Sequence, residues 1–391
     1  MKMKRIYLDH NATTPVHPDV LASMLPYLRD TFGNASSLHT FGQEAARALD
    51  EAREQVARLT GAEAREIVFT SGGTESDNAA IRGALAARPE KRHIVTTEIE
   101  HHAVLHTCKG LSRQGAEVTV VPVDEHGRVD PAAVAEAVRD DTAIVSVMFA
   151  NNEVGTLQPV AEIARALSGR DVLFHTDAVQ ALGKVPMQLG TLGVDLASFS
   201  SHKIHGPKGV GALYVARGTR LGPLLTGGHH ERGFRAGTEN IPGIVGFGRA
   251  CEIARSDLDG VIPKVRNLRD HLEEGIRRGV EDVRLNGHPD LRLPNTLNLS
   301  FAYVEGEALL LNLDLRGISV STGSACTSGD LRPSHVLTAM GRTPEEAHGS
   351  LRFSLGRDNT EEEMDRTVRA VTEVVEKVRA MSPLAKRKPD A

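Results

Sequence analysis

From about residue 43 to residue 255, short apolar runs alternate with helix-like stretches, and this alternation constrains the fold more than any other feature of the chain. The runs that read as strands lie at 67–69, 93–97, 117–123, 143–149, 172–175, 196–200 and 211–215. Helical spacing of small and apolar residues fills 43–59, 75–87, 131–138 and 159–167. Strands joined through crossover helices pair in parallel, so the pattern predicts an α/β fold: a mostly parallel sheet with helices on both faces. The runs at 196–200 and 211–215 follow each other without a helix, which predicts an antiparallel part of that sheet.

After about residue 256 the texture changes. A charged helix predicted over 257–278 leads into apolar runs at 297–301, 318–321 and 351–354, with helices over 305–316 and 361–381. The chain therefore reads as a large α/β domain over 15–256 and a smaller α+β domain made of 1–14 and 257–391.

Composition excludes several classes. At 40% hydrophobic and 25% charged residues the chain is globular rather than disordered. Its net charge of -5 supplies no field for nucleic acid. No run approaches the ~20 apolar residues that span a bilayer. The basic start is followed at once by Asp9 and His10 rather than an apolar segment, so a cytoplasmic protein is expected. Three cysteines, Cys108, Cys251 and Cys326, are too few and too scattered for a disulfide framework. Adjacent histidines such as His101-His102 and His229-His230 diverge on a helix, and no H-E-x-x-H or paired C-x-x-C occurs, so no metal is expected.

Polar motifs recur where the predicted strands end: Thr70-Ser71-Gly72-Gly73-Thr74, Glu100-His101-His102, Asn151-Asn152-Glu153, Asp177, and Ser200-Ser201-His202-Lys203. Ligands of open α/β sheets bind outside the carboxyl ends of the strands, so one crevice is expected to collect these groups. The Gly72-Gly73 turn between strand and helix is an anion site of the phosphate type, although glycines there also serve plain geometry. It matches neither a P-loop nor G-x-G-x-x-G. Asp177 at one strand end and Lys203 at a later one suit pyridoxal phosphate, with the lysine as Schiff-base residue and the aspartate holding the pyridine nitrogen protonated. Singly, each has an ordinary reading as a turn cap or a surface lysine; together with the anion turn they favour the cofactor. Cys326 lies among small polar residues between Gly323 and Gly329, the setting of a reactive thiol, whereas Cys108 and Cys251 have apolar helical neighbours and read as structural.

With these residues in hand, the chain resembles the NifS/IscS-type cysteine desulfurases, fold-type I pyridoxal-phosphate enzymes of the class-V aminotransferase family. The resemblance runs through Tyr7-Leu8-Asp9-His10-Asn11-Ala12-Thr13-Thr14-Pro15, Gly33-Asn34-Ala35-Ser36-Ser37-Leu38-His39 and Asn151-Asn152-Glu153-Val154-Gly155. It continues through Ser201-His202-Lys203-Ile204-His205-Gly206-Pro207-Lys208-Gly209 and Gly323-Ser324-Ala325-Cys326-Thr327-Ser328 to Arg352-Phe353-Ser354-Leu355-Gly356-Arg357.

The resemblance implies that Lys203 carries the cofactor, Asp177 pairs with its ring nitrogen, Gln180 bonds its phenolic oxygen and His101 stacks on the ring. Gly73, Thr74, Ser200 and His202 would hold the phosphate, joined by Thr238 from the neighbouring subunit of a homodimer. Asn152, Arg352 and Asn34 would meet the substrate, L-cysteine. Sulfur would pass to Cys326 as a persulfide, leaving alanine, and then to an acceptor protein such as an iron–sulfur scaffold or a tRNA-thiolation protein. The ordinary thiol pKa is ~8.5, so Cys326 would need nearby positive charge or a base to act as thiolate. Housekeeping members carry a scaffold-docking tail beyond the S-P-L motif; here Ser382-Pro383-Leu384 is followed only by residues 385–391, so docking of that kind is not expected. The rival readings are a selenocysteine lyase, an aminotransferase that owes nothing to Cys326, and a non-catalytic sulfur carrier.

Overall fold

The computed structural model describes residues 5–322 and 333–382. In chain order the elements begin with β1 (Ile6–Tyr7), α1 (Pro18–Arg29), α2 (Thr40–Thr60), β2 (Ile67–Thr70), α3 (Gly73–Ala87), β3 (His93–Thr97), α4 (His102–Ser112) and β4 (Glu117–Val121). Next come α5 (Pro131–Glu136), β5 (Thr142–Ser146), α6 (Val160–Leu167), β6 (Leu173–Asp177), α7 (Leu189–Leu192), β7 (Leu196–Ser200) and β8 (Gly211–Val215). The chain continues with α8 (Ile241–Asp257), α9 (Val261–Gly279), β9 (Val283–Asn286), β10 (Thr296–Phe301), α10 (Gly306–Leu315), β11 (Ile318–Ser319) and β12 (Ser321–Thr322). It closes with α11 (His335–Ala339), α12 (Pro344–His348), β13 (Ser350–Ser354) and α13 (Glu361–Met381).

Seven strands form the main sheet in the order β2-β8-β7-β6-β5-β3-β4. From β7 to β4 every neighbour is parallel; β8 runs antiparallel to both β7 and β2. This is the α/β fold expected, antiparallel part included. Strands β5, β6 and β7 are buried at every residue, as a parallel sheet covered on both faces requires. In that core His175 is paired, bonded to Ser146 Oγ and Ser198 Oγ, both at 2.9 Å, and burial holds its imidazole neutral, with the pKa lowered to about 3.

Local signals explain the helices. In α2, Ala45, Ala48, Leu49, Ala52, Val56 and Leu59 line one face, and Gly61 ends the helix at φ +67°, a left-handed position that glycine adopts without strain. In α13, a capping box between Thr360 and Glu363 starts the helix, and Met364, Thr367, Val371, Val374, Val375 and Val378 pack inward.

The core around α2, α8 and one face of the sheet is apolar from Val20 to Leu293. A second core joins Ile6 and Leu8 to residues of α9, β10, α10, β13 and α13. There a four-stranded sheet runs β12-β13-β10-β9, while β1 pairs in parallel with β11.

Four local readings need correction. The helix expected over 257–278 starts later, as α9 over Val261–Gly279; Asp257 is the last residue of α8, and residues 258–260 separate the two. The run at 318–321 splits, with β11 on β1 and β12 on β13, so that the chain changes sheet at Val320. The strand expected over 143–149 stops at Ser146; Val147 and Phe149 still donate to His175 O and Asp177 O as the chain turns into the site. The strand expected to reach 123 stops at Val121, after which a short bridge pairs Val123 with Val129.

Candidate active site

A cavity of about 370 Å³ opens at the carboxyl ends of the parallel strands, where the order of the sheet predicts a ligand crevice. Its wall includes Gly73, Thr74, His101, Asn152, Asp177, Ser200, His202 and Lys203, which the strand-end motifs pointed to, and Gln180 and Arg352, which the family resemblance implied. It also includes Asn11, Ala12, Asp77 and Met148, which the sequence reading did not select.

One end of the cavity is built for an anion. Gly72 takes φ +153°, a value side-chain-bearing residues rarely adopt, and α3 then begins at Gly73 with its first amides unpaired within the helix. A Cβ on Gly73 would lie 2.7 Å from Val179 Cγ2, so glycine is required for the close approach. Ser200 at the end of β7 lies beside this turn, and His202 lines the same cavity, where burial and the neighbouring lysines hold its imidazole neutral, with the pKa lowered to about 4.

The other end is acidic. Asp177 ends β6 and Asp77 projects from the first turns of α3; one ligand atom of each, and one of His101, lie within 4.8 Å of each other. Burial and the mutual repulsion of the two carboxylates hold Asp77 protonated well above the ordinary range, and burial pushes Asp177 up to about 6. Asp77 Oδ1 has no hydrogen-bond partner among the described residues. With Asp77 protonated, Asp177 is the carboxylate left to meet a cation or a proton donor in the cavity.

His101 caps α4: its Nδ1 accepts from Ala103 N at 3.1 Å, which leaves Nε2 as the protonated nitrogen of the neutral ring. Burial, then Lys203 and the neighbouring histidines, lower its pKa to about 4. Lys203 ends the short 3₁₀ turn after β7, and its Nζ donates to Asn11 O at 2.7 Å and Ala12 O at 2.8 Å.

The N-terminal motif lies across this lysine turn like a strap. Thr13 Oγ1 is 3.1 Å from His202 Nδ1, Thr14 Oγ1 donates to His202 O at 2.9 Å, and His205 N donates back to Thr14 Oγ1 at 2.8 Å. Asn11 is 1% exposed and joins both cores: its Nδ2 donates to Thr296 Oγ1 at 2.8 Å and its N to Ser354 Oγ at 2.9 Å.

Arg352 in β13 donates through Nη2 to Asp9 Oδ1 at 2.8 Å and through Nη1 to Asn152 O at 3.0 Å. Its buried Nε has no partner among the described residues. Asn34 does not line the cavity; its Oδ1 accepts from Ser36 N at 2.9 Å and from Ser36 Oγ at 2.7 Å, which makes it a turn residue within this protomer. Thr238 is exposed and lines a different cleft with Thr70, Ser71 and Arg235. Cys326 lies outside the described residues. Cys108 and Cys251 are buried thiols, with burial raising both pKa values, that of Cys108 to about 12.

The family model described as Aminotransferase class-V matches residues 6–367. The chain belongs to the class-V aminotransferase family. Within this family it is 54% identical to a cysteine desulfurase of Nostoc sp. over 381 residues, which cover 97% of this chain and 95% of the relative. It is 53% identical to the cysteine desulfurase IscS of Methanosarcina thermophila, over 97% of this chain and 94% of that one. Among solved structures, a NifS-like protein superposes with a TM-score of 0.90 at 43% identity, covering 96% of this chain and 100% of its own. SspA, in complex with cysteine, superposes with a TM-score of 0.81 at 36% identity, over 91% of this chain and 100% of that one. This class-V aminotransferase family member is thus placed among the cysteine desulfurases. Among its described residues, no helix is long and apolar enough to cross a membrane.

The cavity fits the cofactor of such enzymes. Its wall offers the first amides of α3 at Gly73 and Thr74, the Asp177 carboxylate, a lysine amine and a neutral imidazole. An elongated ligand with a phosphate, an aldehyde and a basic ring nitrogen meets each of those groups with its complement.

Proposed function

We propose that this protein is a pyridoxal-phosphate-dependent cysteine desulfurase that removes sulfur from L-cysteine, releases L-alanine, and passes the sulfur through Cys326 to an acceptor protein. The observation that carries the reading is the convergence of Lys203, Asp177 and His101 on one cavity in a chain half-identical to cysteine desulfurases. When bound, pyridoxal phosphate supplies an electron sink for the bonds at the substrate α-carbon.

Each residue has a task in this reading. Gly73, Thr74, Ser200 and His202 hold the phosphate, with Thr238 reaching it from a second copy of the chain; the exposed position of Thr238, outside its own cavity, supports a homodimer. Asp177 keeps the ring nitrogen protonated, and Gln180 donates to the phenolic oxygen. His101 covers the ring as a neutral imidazole. Lys203 would hold the cofactor, and its amine would take the α-proton of the substrate. Arg352 and Asn152, which both line the cavity, hold the substrate carboxylate.

Sulfur transfer then balances as a displacement at sulfur. The Cys326 thiolate forms the new S–S bond as the substrate Cβ–Sγ bond breaks, and the electron pair stays with carbon, which takes up one proton to become the alanine methyl group. An acceptor thiolate later takes the terminal sulfur from Cys326; iron–sulfur cluster assembly and thiolation of tRNA or cofactors are the processes that consume sulfur in this form. The same reading divides the chain into a cofactor-binding domain over 15–256 and a smaller domain of 1–14 and 257–391 carrying Cys326.

Purified protein is expected to show a visible chromophore that borohydride abolishes, and to release equal amounts of alanine and sulfide from L-cysteine with a thiol present. Cys326→Ala should keep the chromophore and lose the sulfide. A colourless protein refutes the cofactor, and full turnover by Cys326→Ala refutes the persulfide route.

A further inference from the structure

Lys184 is a buried amine to which the proposed chemistry assigns no task. It stands four residues after Gln180, is 8% exposed, and forms part of the cavity wall of about 60 Å³ that also includes Lys203, His10 and Asn295. Its Nζ donates to Gln180 Oε1 at 2.8 Å and to Asn11 Oδ1 at 3.4 Å. The charged groups that act on it most, Lys203 and Arg352, share its sign. Burying a cation among cations is costly, and neither of its contacts is an opposing charge.

The contacts show what that placement achieves. An ammonium only donates, so the end of Gln180 that faces Lys184 must be its carbonyl oxygen. The amide nitrogen is then turned the other way, where Nε2 donates to Asn11 O at 2.9 Å and has its second hydrogen left for the main cavity that Gln180 lines. Asn11 O is also the acceptor that Lys203 Nζ uses at 2.7 Å. Lys184 thus sits at the root of a network that orients the donor, the strap and the lysine turn together.

We propose that Lys184 is a positioning residue of this site: its ammonium holds Gln180 with the amide N–H toward the cavity, so that a donor rather than an acceptor meets the phenolic oxygen of the cofactor. This role rests on the cofactor reading above. Its buried position beside Lys203 and Arg352 lowers the pKa of Lys184 to about 7, burial being the largest cause, so the ammonium is a group the surroundings barely retain. Loss of the oriented donor should weaken cofactor retention about tenfold or more.

The test is a double-mutant cycle read by spectroscopy. Lys184→Met and Gln180→Ala are each expected to move the visible band of the bound cofactor and to weaken its retention about tenfold. The double variant should show no more than either single change, because both remove the same oriented donor. Lys184→Gln, which keeps a donor facing Gln180 without the charge, should restore the wild-type band, and it carries the test if Lys184→Met does not fold. A band unchanged by Lys184→Met, or effects that add in full in the double variant, overturns the role. A wild-type protein without a borohydride-sensitive chromophore overturns the cofactor reading and this role with it.

Discussion

Arg352 Nη2 and Asp9 Oδ1 lie 2.8 Å apart, joining β13 to the N-terminal strap across 343 residues of chain, with the arginine side chain 3% exposed and the aspartate 19%. The pair leaves the guanidinium bound yet not saturated, since Nε stays without a partner among the described residues. Removing one member of a buried pair strands the other charge, which costs about 3–5 kcal/mol. Asp9→Ala is therefore expected to lower the thermal midpoint by several degrees and to raise KM for L-cysteine. An unchanged midpoint in calorimetry would mean that Arg352 finds another partner.

Arg352→Lys separates charge from geometry at the same place. An ammonium keeps the charge but loses the planar fork that meets a carboxylate, so KM for L-cysteine should rise about tenfold or more while the cofactor band stays in place. Steady-state kinetics beside absorbance spectra check both halves. A wild-type KM would remove Arg352 from the substrate site.

His101 both caps α4 and lines the cavity, and the two roles can be parted. His101→Asn keeps an oxygen for Ala103 N, so stability should stay within about 1 kcal/mol of wild type. Turnover should fall about 10²–10⁴-fold if the neutral imidazole assists proton transfer. Its pKa near 4 also means that His101 is uncharged from pH 5 upward, and any acid limb of the rate profile near neutrality should survive in the variant. A limb that disappears with His101 would contradict that assignment.

Glu153 is wholly buried and accepts from Ser334 Oγ at 2.5 Å, tying the Asn151-Asn152-Glu153 turn to the cap of α11. Burial raises its pKa from the ordinary 4.5 to about 7, opposed by Ser334 and the charge of Arg352. A raised acid pKa means that the folded protein binds the proton more tightly than the unfolded chain. This contribution is full below about pH 4.5 and is lost as pH rises to about 7. Glu153→Gln has no such loss, so its stability relative to wild type should climb across that window, by at most about 3 kcal/mol. Urea unfolding at intervals from pH 5 to pH 8 measures this, and a flat difference would refute it.

Arg53 and Glu231 form a two-pronged buried pair, Nη1–Oε2 and Nη2–Oε1 both at 2.7 Å, and Glu231 Oε2 also accepts from Phe69 N at 2.9 Å. The pair pins the segment before Thr238 to β2. Glu231→Ala should cost about 3–5 kcal/mol and weaken the dimer if Thr238 serves the second subunit. Thermal unfolding and sedimentation report the two effects separately.

Much of this site was legible because each βα turn places its polar residues at the same end of a parallel sheet. Once alternation identified the strands, Thr74, His101, Asn152, Asp177, Ser200, His202 and Lys203 had to share a crevice. Asp77 was missed, although it lies four residues after Gly73 and so one turn further along the same face of α3. Asn34, implied by the family likeness, accepts from Ser36 within its own protomer, and nothing in the local sequence points to it.

The sequence by itself determined the sheet, the crevice and the chemistry of its walls, because periodicity and strand-end motifs are local properties of neighbouring residues. Only the tertiary structure decided how that crevice is held: the strap of Asn11 and Ala12 over Lys203, the Arg352–Asp9 pair, and the Lys184–Gln180–Asn11 network. All of those contacts but Lys184–Gln180 join residues more than about 160 positions apart. A hydrogen bond depends on separation and direction in space, and neither is encoded in the spacing of residues along the chain.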